Sequence, residues 1–480
     1  MKKAELVFIP VPAMGHLVSA VQLAKLLVHL SSNLSITFLT VKPPHDAKVS
    51  AYVDSLAATS SSRIKFINLP QSVPDVEVFK FLSNLVQTLG PVVREVVTSI
   101  VEHSNLIPDS PRLAGFVLET LLTSLVDLAN EFGVPSYAFY TSGAGSLGFH
   151  IYTQALHAEQ NIEFGESNDS DTEFTIPSYV SPVSIKLFPT VLLQPESFTL
   201  LRNVTKGVRE VKGIMVNTFS ELESHAVDSL SNGKLPIPTI YPVGPILNLE
   251  DYDKFHQNRD TIMQWLDEQP HSSVVFLCFG SMGCFDADQV KEIASALEQS
   301  GHRFLWSLQR PPEQVKDIMV RSLNDYENVA EVLPEGFLDR TSEIGRIIGW
   351  APQVAILSHS AIGGFISHCG WNSTLESIWF GVPMAAWPLY AEQQLNALTL
   401  MKELGLAMEI KMDYKVDGDE IEIIKAEKIE KGIKWLMSRE SDVRHRMKKI
   451  SDKSKNVLID GGSSHTMLCR FINDITNNMP

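Results

Sequence analysis

The chain has little cysteine: Cys278, Cys284, Cys369 and Cys469 are the four in 480 residues. So few, and so scattered, they cannot make a disulfide framework or a zinc site, and they suit a reducing cytoplasm. They read as small buried hydrophobes, not nucleophiles. Basic charge is also short. Lys and Arg number 40 against 56 Asp and Glu, a net charge of −16. That disfavours nucleic acid and anionic membrane as partners. Any phosphate on a ligand must then be held locally, by helix ends and backbone N–H groups. Long apolar runs are missing too. No stretch reaches eighteen residues, so no membrane span is expected. The start, MKKAELVFIPVPAMGHL, is interrupted by Glu5, Pro10, Pro12 and His16, which favours a strand and turn over a signal peptide. Asn203-Val204-Thr205 is a glycosylation sequon by pattern and, without secretion, reads as plain surface. There is no low-complexity tract and no internal repeat.

What is present is enough apolar residue, 44%, for two full cores. Strand-like runs alternate with helix-like ones from the first residues. Residues 5–10 (ELVFIP), 35–40 (SITFLT), 63–69, 115–118, 135–139 and 212–217 read as strands, and 16–30 as an amphipathic helix. Residues 159–195 are polar, then Pro-rich, and read as loop. Residues 241–260 combine proline, glycine and then charge, as a linker does. The alternation then restarts, with strands at 273–279, 303–308, 346–349, 363–367 and 384–386 and a helix at 286–300. A final helix is expected at 463–477. The pattern predicts two α/β halves, each a parallel sheet with crossover helices, and a ligand in the cleft between them.

Two weak motifs must be weighed first. GAGSLG at 143–148 reads G-x-G-x-x-G between an apolar run and a helix. A dinucleotide fold wants an acidic residue about twenty positions on, ending a second strand. Glu159, Glu163 and Glu166 fall in loop instead. Close helix packing, or approach of another ligand, explains the glycines more cheaply than a nicotinamide cofactor. D-x-D occurs four times, at Asp169/Asp171, Asp251/Asp253, Asp286/Asp288 and Asp417/Asp419. In an acidic chain that is a cheap pattern, and Asp286 and Asp288 sit where a helix cap would be.

The strong signal is the 44-residue segment 350–393, WAPQVAILSHSAIGGFISHCGWNSTLESIWFGVPMAAWPLYAEQ. A strand there turns into a helix near Asn372 and Ser373, with Gly370 in the turn. Such a turn aims free N–H groups at an anion. His368 can add a donor. Glu376 follows Ser373 by three residues, on the same helix face, placed to grip ribose hydroxyls. Trp350 offers a flat indole for a base. Glu392 and Gln393 follow the next strand and are groups that read sugar hydroxyls. Base, ribose, phosphates and sugar are suggested in that order.

This segment closely resembles the signature box of the plant family 1 UDP-dependent glycosyltransferases, which act on secondary products. The resemblance runs along the whole chain: GHL near the start, KGIMVNTFSELE at 212–223, CFGSMG at 278–283 and GGSSH near the end. It implies the GT-B fold, two Rossmann-like domains facing a cleft. Residues 1–245 would take the acceptor and 246–459 the UDP-sugar, with 460–480 a helix crossing back to the first domain. By the same resemblance Trp350 stacks on uracil with Gln353 beside it. His368, Asn372, Ser373 and Ser281 contact the diphosphate, and Trp371 lines that region. Glu376 holds the ribose. Glu392 and Gln393 bind the sugar, Gln393 favouring glucose, and Thr141 touches its 6-hydroxyl. The family prior is a monomer, with UDP-glucose as co-substrate and neither cofactor nor metal.

Transfer to a hydroxyl needs a base, and His16 follows the first strand where the family places it. On the residues alone a helix-capping or core histidine is the simpler reading. The family orients that histidine with an aspartate, but here Glu119 holds the place. Asp127, eight residues on, reads as structural. Glutamate keeps the charge and adds a methylene, so either it partners His16 or it weakens transfer, leaving a UDP-sugar-binding protein. Inversion to a β-glucoside follows, since no carboxylate is positioned for a covalent route. Phe81, Leu85, Leu118, Leu122, Phe149, Leu187 and residues 191–193 are candidate acceptor contacts. The acceptor class stays open among flavonoids, simple phenols and terpenoids, as does the choice of O-, N- or S-transfer.

Overall fold

The computed structural model describes residues 3–43, 46–70, 78–160, 164, 172–193, 198–233, 236–249, 258–312, 323–415, 422–438 and 441–479, with backbone alone at 78–85, 158–160 and 198–199. Two parallel sheets organise it. The first holds β1 (Ala4–Ile9), β2 (Leu34–Thr40), β3 (Ile64–Asn68), β4 (Arg112–Glu119), β5 (Ser136–Tyr140), β6 (Gly213–Val216) and β7 (Thr239–Pro242), in the order β3-β2-β1-β4-β5-β6-β7. The second holds β8 (Val274–Cys278), β9 (Arg303–Ser307), β10 (Gly345–Ile348), β11 (Ile362–Ser367), β12 (Met384–Ala386) and β13 (Ala407–Glu409), in the order β10-β9-β8-β11-β12-β13. Helices cover both faces of such sheets, so the central strands read as unbroken apolar runs: every residue of β1 and of β8 is buried. Glu5, inside β1, is tolerated because the Thr37 and Ser35 hydroxyls donate to its carboxylate at 2.5 and 3.5 Å.

Each sheet grows outward in both directions from its first strand. The order therefore reverses between β1 and β4 in one, and between β8 and β11 in the other. Ligands bind at the carboxyl ends of strands at such switch points. The helix Met14–Leu30 follows β1, and Glu119 ends β4, its hydrogen-bonded neighbour. Ser281 follows β8, and the helix Trp371–Phe380 follows β11.

The last helix, Ser463–Asn477, packs on the first sheet, not the second. Its Leu468, Phe471 and Ile475 share a core with β1, β2 and the helix Met14–Leu30. Tyr241 Oη donates to Asp474 Oδ2 at 2.7 Å, joining β7 to that helix.

Two readings of the sequence change, and the D-x-D reading holds at the pair described. The 241–260 linker begins as structure: Tyr241 and Pro242 finish β7, and Val243 and Ile246 are buried in the same core. Asn217 clamps Ile246, accepting from its N–H at 2.7 Å and donating to its carbonyl at 3.4 Å. Residues 250–257 lie outside those described. The 159–195 loop carries a short ladder, Glu173–Phe174 against Val183–Ser184, because its apolar residues close an aromatic cluster of Phe149, Phe164, Phe174 and Phe188. Of the D-x-D pairs, Asp286 caps the helix Ala287–Ser300, accepting from Gln289 N–H at 2.9 Å, and Asp288 lies in its first turn. The other three pairs lie outside the described residues. Cys278, Cys284 and Cys369 are buried, and burial pushes the Cys278 and Cys369 thiols up to about 11 and about 12, so neither is a nucleophile.

Candidate active site

The first half contributes a histidine on a helix start. The helix Met14–Leu30 has Ala13 at its N-cap and no side chain capping it, and of its first N–H groups that of His16 turns back to the Ala13 carbonyl at 3.1 Å. His16 Nδ1 lies 3.1 Å from Glu119 Oε1 and 3.2 Å from Thr141 Oγ1. Glu119 divides its oxygens. Oε2 accepts the Leu121 N–H at 2.8 Å, capping the tight turn Thr120–Leu125, while Oε1 faces the imidazole. The added methylene thus spans from a strand end to two partners, and the carboxylate is 4% exposed. His16 is 34% exposed. Burial pulls its imidazole down, but the charge and hydrogen bond of Glu119, with a smaller push from Glu392, raise it above the ordinary histidine value.

The second half contributes the mouth of β11. The helix Trp371–Phe380 also lacks a side-chain cap, its N-cap being Gly370. Asn372 spans the cleft to the other helix start: its Nδ2 donates to the Gly15 carbonyl at 3.1 Å, and its Oδ1 accepts from Ser19 Oγ at 3.2 Å. Two uncapped N-termini, one from each half, are thereby held together, and both dipoles favour an anion there. Gln353 Nε2 donates to Ser373 Oγ at 2.9 Å and to Glu376 Oε2 at 2.6 Å, while Trp350, Ser281 and Asn372 line the same cavity with Met14 and Gly15. His368 is buried, and burial alone lowers its imidazole to about 4, so it is neutral at pH 7. Its Nδ1 has no hydrogen-bond partner among the described residues. The ring fits between Gly280 and Gly370, where an added Cβ would lie 2.6 and 2.5 Å from Nε2.

Glu392 and Gln393 follow β12 at the end of the same segment. Glu392 Oε1 accepts from Ser142 Oγ at 3.0 Å, another bond across the cleft. Gln393 turns its Oε1 inward to the N–H groups of Leu389 and Tyr390, at 2.9 and 3.1 Å.

Several expectations fail. Trp371 does not present its ring to the cavity. Its indole N–H donates to the Asn217 carbonyl at 2.6 Å and its ring packs on Gly143, where a Cβ would come within 2.8 Å. Leu118 and Leu122 are 0% exposed within the core of the first half, where other side chains already cover them, so they cannot be acceptor contacts. Phe149 is likewise fully buried. Leu187 is half-buried at the edge of the aromatic cluster and keeps its candidacy. The side chains of Phe81 and Leu85 lie outside those described.

Four residues around the site are given no role by the sequence reading: Ser142, Lys48, and Asn217 and Glu223, which lie inside the KGIMVNTFSELE stretch. Lys48 Nζ sits 4.4 Å from the centre of the Trp350 ring and donates to the Leu323 carbonyl at 3.3 Å. Glu223 resolves the G-x-G-x-x-G motif. Its carboxylate accepts the N–H groups of Ala144 and Gly145 at 2.8 and 2.9 Å. The donors that a pyrophosphate would need are taken by the protein itself, which removes the dinucleotide reading.

The signature of the family described as UDP-glucoronosyl and UDP-glucosyl transferase matches residues 234–426. UDP-glycosyltransferase 71A15 of Malus domestica is 50% identical, over 99% of this chain and all of its own. UDP-glucose flavonoid 3-O-glucosyltransferase 6 of Fragaria ananassa is 50% identical over 99% of both chains. Among solved structures, a ugt transferase from Siraitia grosvenorii in complex with UDP superposes with a TM-score of 0.86 at 44% identity, covering 99% of this chain and 100% of that one. Medicago truncatula UGT71G1 complexed with UDP-glucose gives 0.85 at 38% identity, covering 99% and 98%. With half its residues shared along its whole length, and two sheets whose switch points meet at one cleft, this chain belongs to the UDP-glucoronosyl and UDP-glucosyl transferase family and is a glycosyltransferase of the GT-B fold.

Proposed function

We propose that the protein is an inverting, UDP-glucose-dependent O-glucosyltransferase for a small lipophilic acceptor, a flavonoid, phenolic or terpenoid, with His16 as general base and Glu119 as its partner. The observation that carries this reading is the His16–Glu119 contact of 3.1 Å at a helix start that meets another across the cleft. With Nδ1 engaged, Nε2 is left to take the acceptor proton. The acceptor oxygen then bonds to glucose C1 as the C1–oxygen bond to diphosphate breaks, and the electron pair leaves with UDP. The imidazolium is steadied by Glu119, as in a triad. Trp350 stacks on uracil with Gln353 beside it, and Glu376 takes the ribose. Asn372, Ser373, Ser281 and His368 hold the diphosphate, and Glu392, Gln393 and Thr141 the sugar. The name of the Fragaria ananassa relative supports UDP-glucose as donor and a flavonoid as acceptor.

The test is UDP release from UDP-glucose, with and without quercetin, a simple phenol and a triterpenoid alcohol. Acceptor-dependent release supports the reading. UDP-glucose binding without release across all three would favour a UDP-sugar-binding protein instead. Because paired helix N-termini can carry the leaving charge, excess EDTA is expected to leave turnover unchanged. Lys48→Ala is expected to raise the KM for UDP-glucose about 2- to 5-fold, the size of a lost cation–π contact behind the base-stacking ring. An unchanged KM would assign Lys48 no part in donor binding.

A further inference from the structure

The start of the helix Ala144–Gln160 is an anion site filled from within. Two N–H groups converge there on Glu223, which is 5% exposed, and burial raises its carboxyl despite those bonds. A buried carboxylate is costly unless hydrogen-bonded, and here the two N–H groups of the helix start meet it. Packing around it is tight. A Cβ on Gly143 would lie 2.9 Å from Glu223, and one on Gly145 3.2 Å from Tyr179. Directly upstream are two hydroxyls that reach opposite sides of the cleft: Thr141 to His16 Nδ1 at 3.2 Å, and Ser142 to Glu392 at 3.0 Å.

We propose that Glu223 is a positioning residue for glucosyl transfer: as a resident counter-anion at this helix start, its carboxylate fixes the Thr141–Ser142 turn, which aligns His16 in one half and Glu392 in the other. The inference rests on the transferase reading given above. Glutamine would fill the same space, but its amide NH2 would face one of the two N–H donors, and the turn would shift. A displacement of about 1 Å in a catalytic group can cost about 100-fold.

The experiment compares wild type, E223Q, T141A and the double variant, as full chains with UDP-glucose and quercetin. E223Q is expected to lower kcat about 10- to 100-fold while the KM for UDP-glucose stays within about twofold, because base, ribose and diphosphate are gripped by the other half. The double variant is expected to lose no more than the larger single loss, as when two residues act through one turn. Undiminished kcat in E223Q, or losses that multiply in the double variant, would overturn the proposal. Wild type without turnover counts against the transferase reading alone. Glu223 is then judged from the 15N resonances of His16, which are expected to move in E223Q and whose constancy would sink it. If E223Q does not fold, E223D goes through the same comparison: a lower kcat at steady KM supports the proposal, and an undiminished kcat overturns it.

Discussion

Replacing His16 by alanine is expected to lower kcat/KM by about 10³-fold, within the range measured for loss of a general base, while UDP still binds. The imidazole is where a proton can go: it stands on an uncapped helix start, held at Nδ1 by Glu119 and Thr141. Glu119→Gln tests the partner. It can still accept the Leu121 N–H, so the turn survives, but the negative charge beside the imidazole is gone. The pH profile then has a defined sign. Burial lowers the His16 value, Glu119 and then Glu392 raise it more, and the net shift is upward from 6.5. The base works when neutral, so wild-type kcat/KM is expected to climb with pH through a midpoint above 6.5. Without the Glu119 charge, burial dominates, and E119Q is expected to show a lower plateau with its midpoint moved to more acidic pH. Glu119→Asp should also lose activity, about 10-fold, because the backbone is set for a carboxylate that reaches two partners at once. A gain in E119D would instead mark the glutamate as a disabling change. A midpoint that stays put in E119Q would separate His16 from Glu119 altogether.

The sequence makes some of this legible for a physical reason. Strands buried on both faces show as apolar runs, so β1, β2, β8 and β11 stand out, and the turn from β11 into the helix Trp371–Phe380 lies within one continuous segment. Strand order is different. That β1 pairs with β4 depends on contacts more than a hundred residues apart, and it is this pairing that brings His16 to Glu119. The parts played by Glu223 and Lys48 are silent for the same reason: each acts on a partner 78 or more residues away, and Asn217 likewise meets Trp371 only through the fold. Leu118 and Leu122 show the opposite error. Periodicity identifies a buried face but cannot say whether side chains or a ligand cover it, and here the core covers both.

Phe471→Ala is expected to destabilise the protein by about 3–5 kcal/mol, the cost of emptying a buried phenylalanine site. The residue is 0% exposed and lies edge-on to Tyr137 and Tyr241, with ring centres 4.9 and 5.5 Å away. Such aromatic pairs add about 0.5–1.5 kcal/mol beyond burial. Its helix is the last of the described elements, yet it completes the core under β1 and β2, the sheet that carries His16. For a half of this size the loss corresponds to roughly 6–10 °C in melting temperature. Turnover measured well below the transition is expected to stay near wild type, because the bonds that orient His16 come from Glu119 and Thr141 and none comes from the C-terminal helix. Stability and chemistry thus separate in one variant. A melting temperature equal to wild type would show that the helix is dispensable to the first half, whereas a fall in kcat without a fall in melting temperature would tie it to the site.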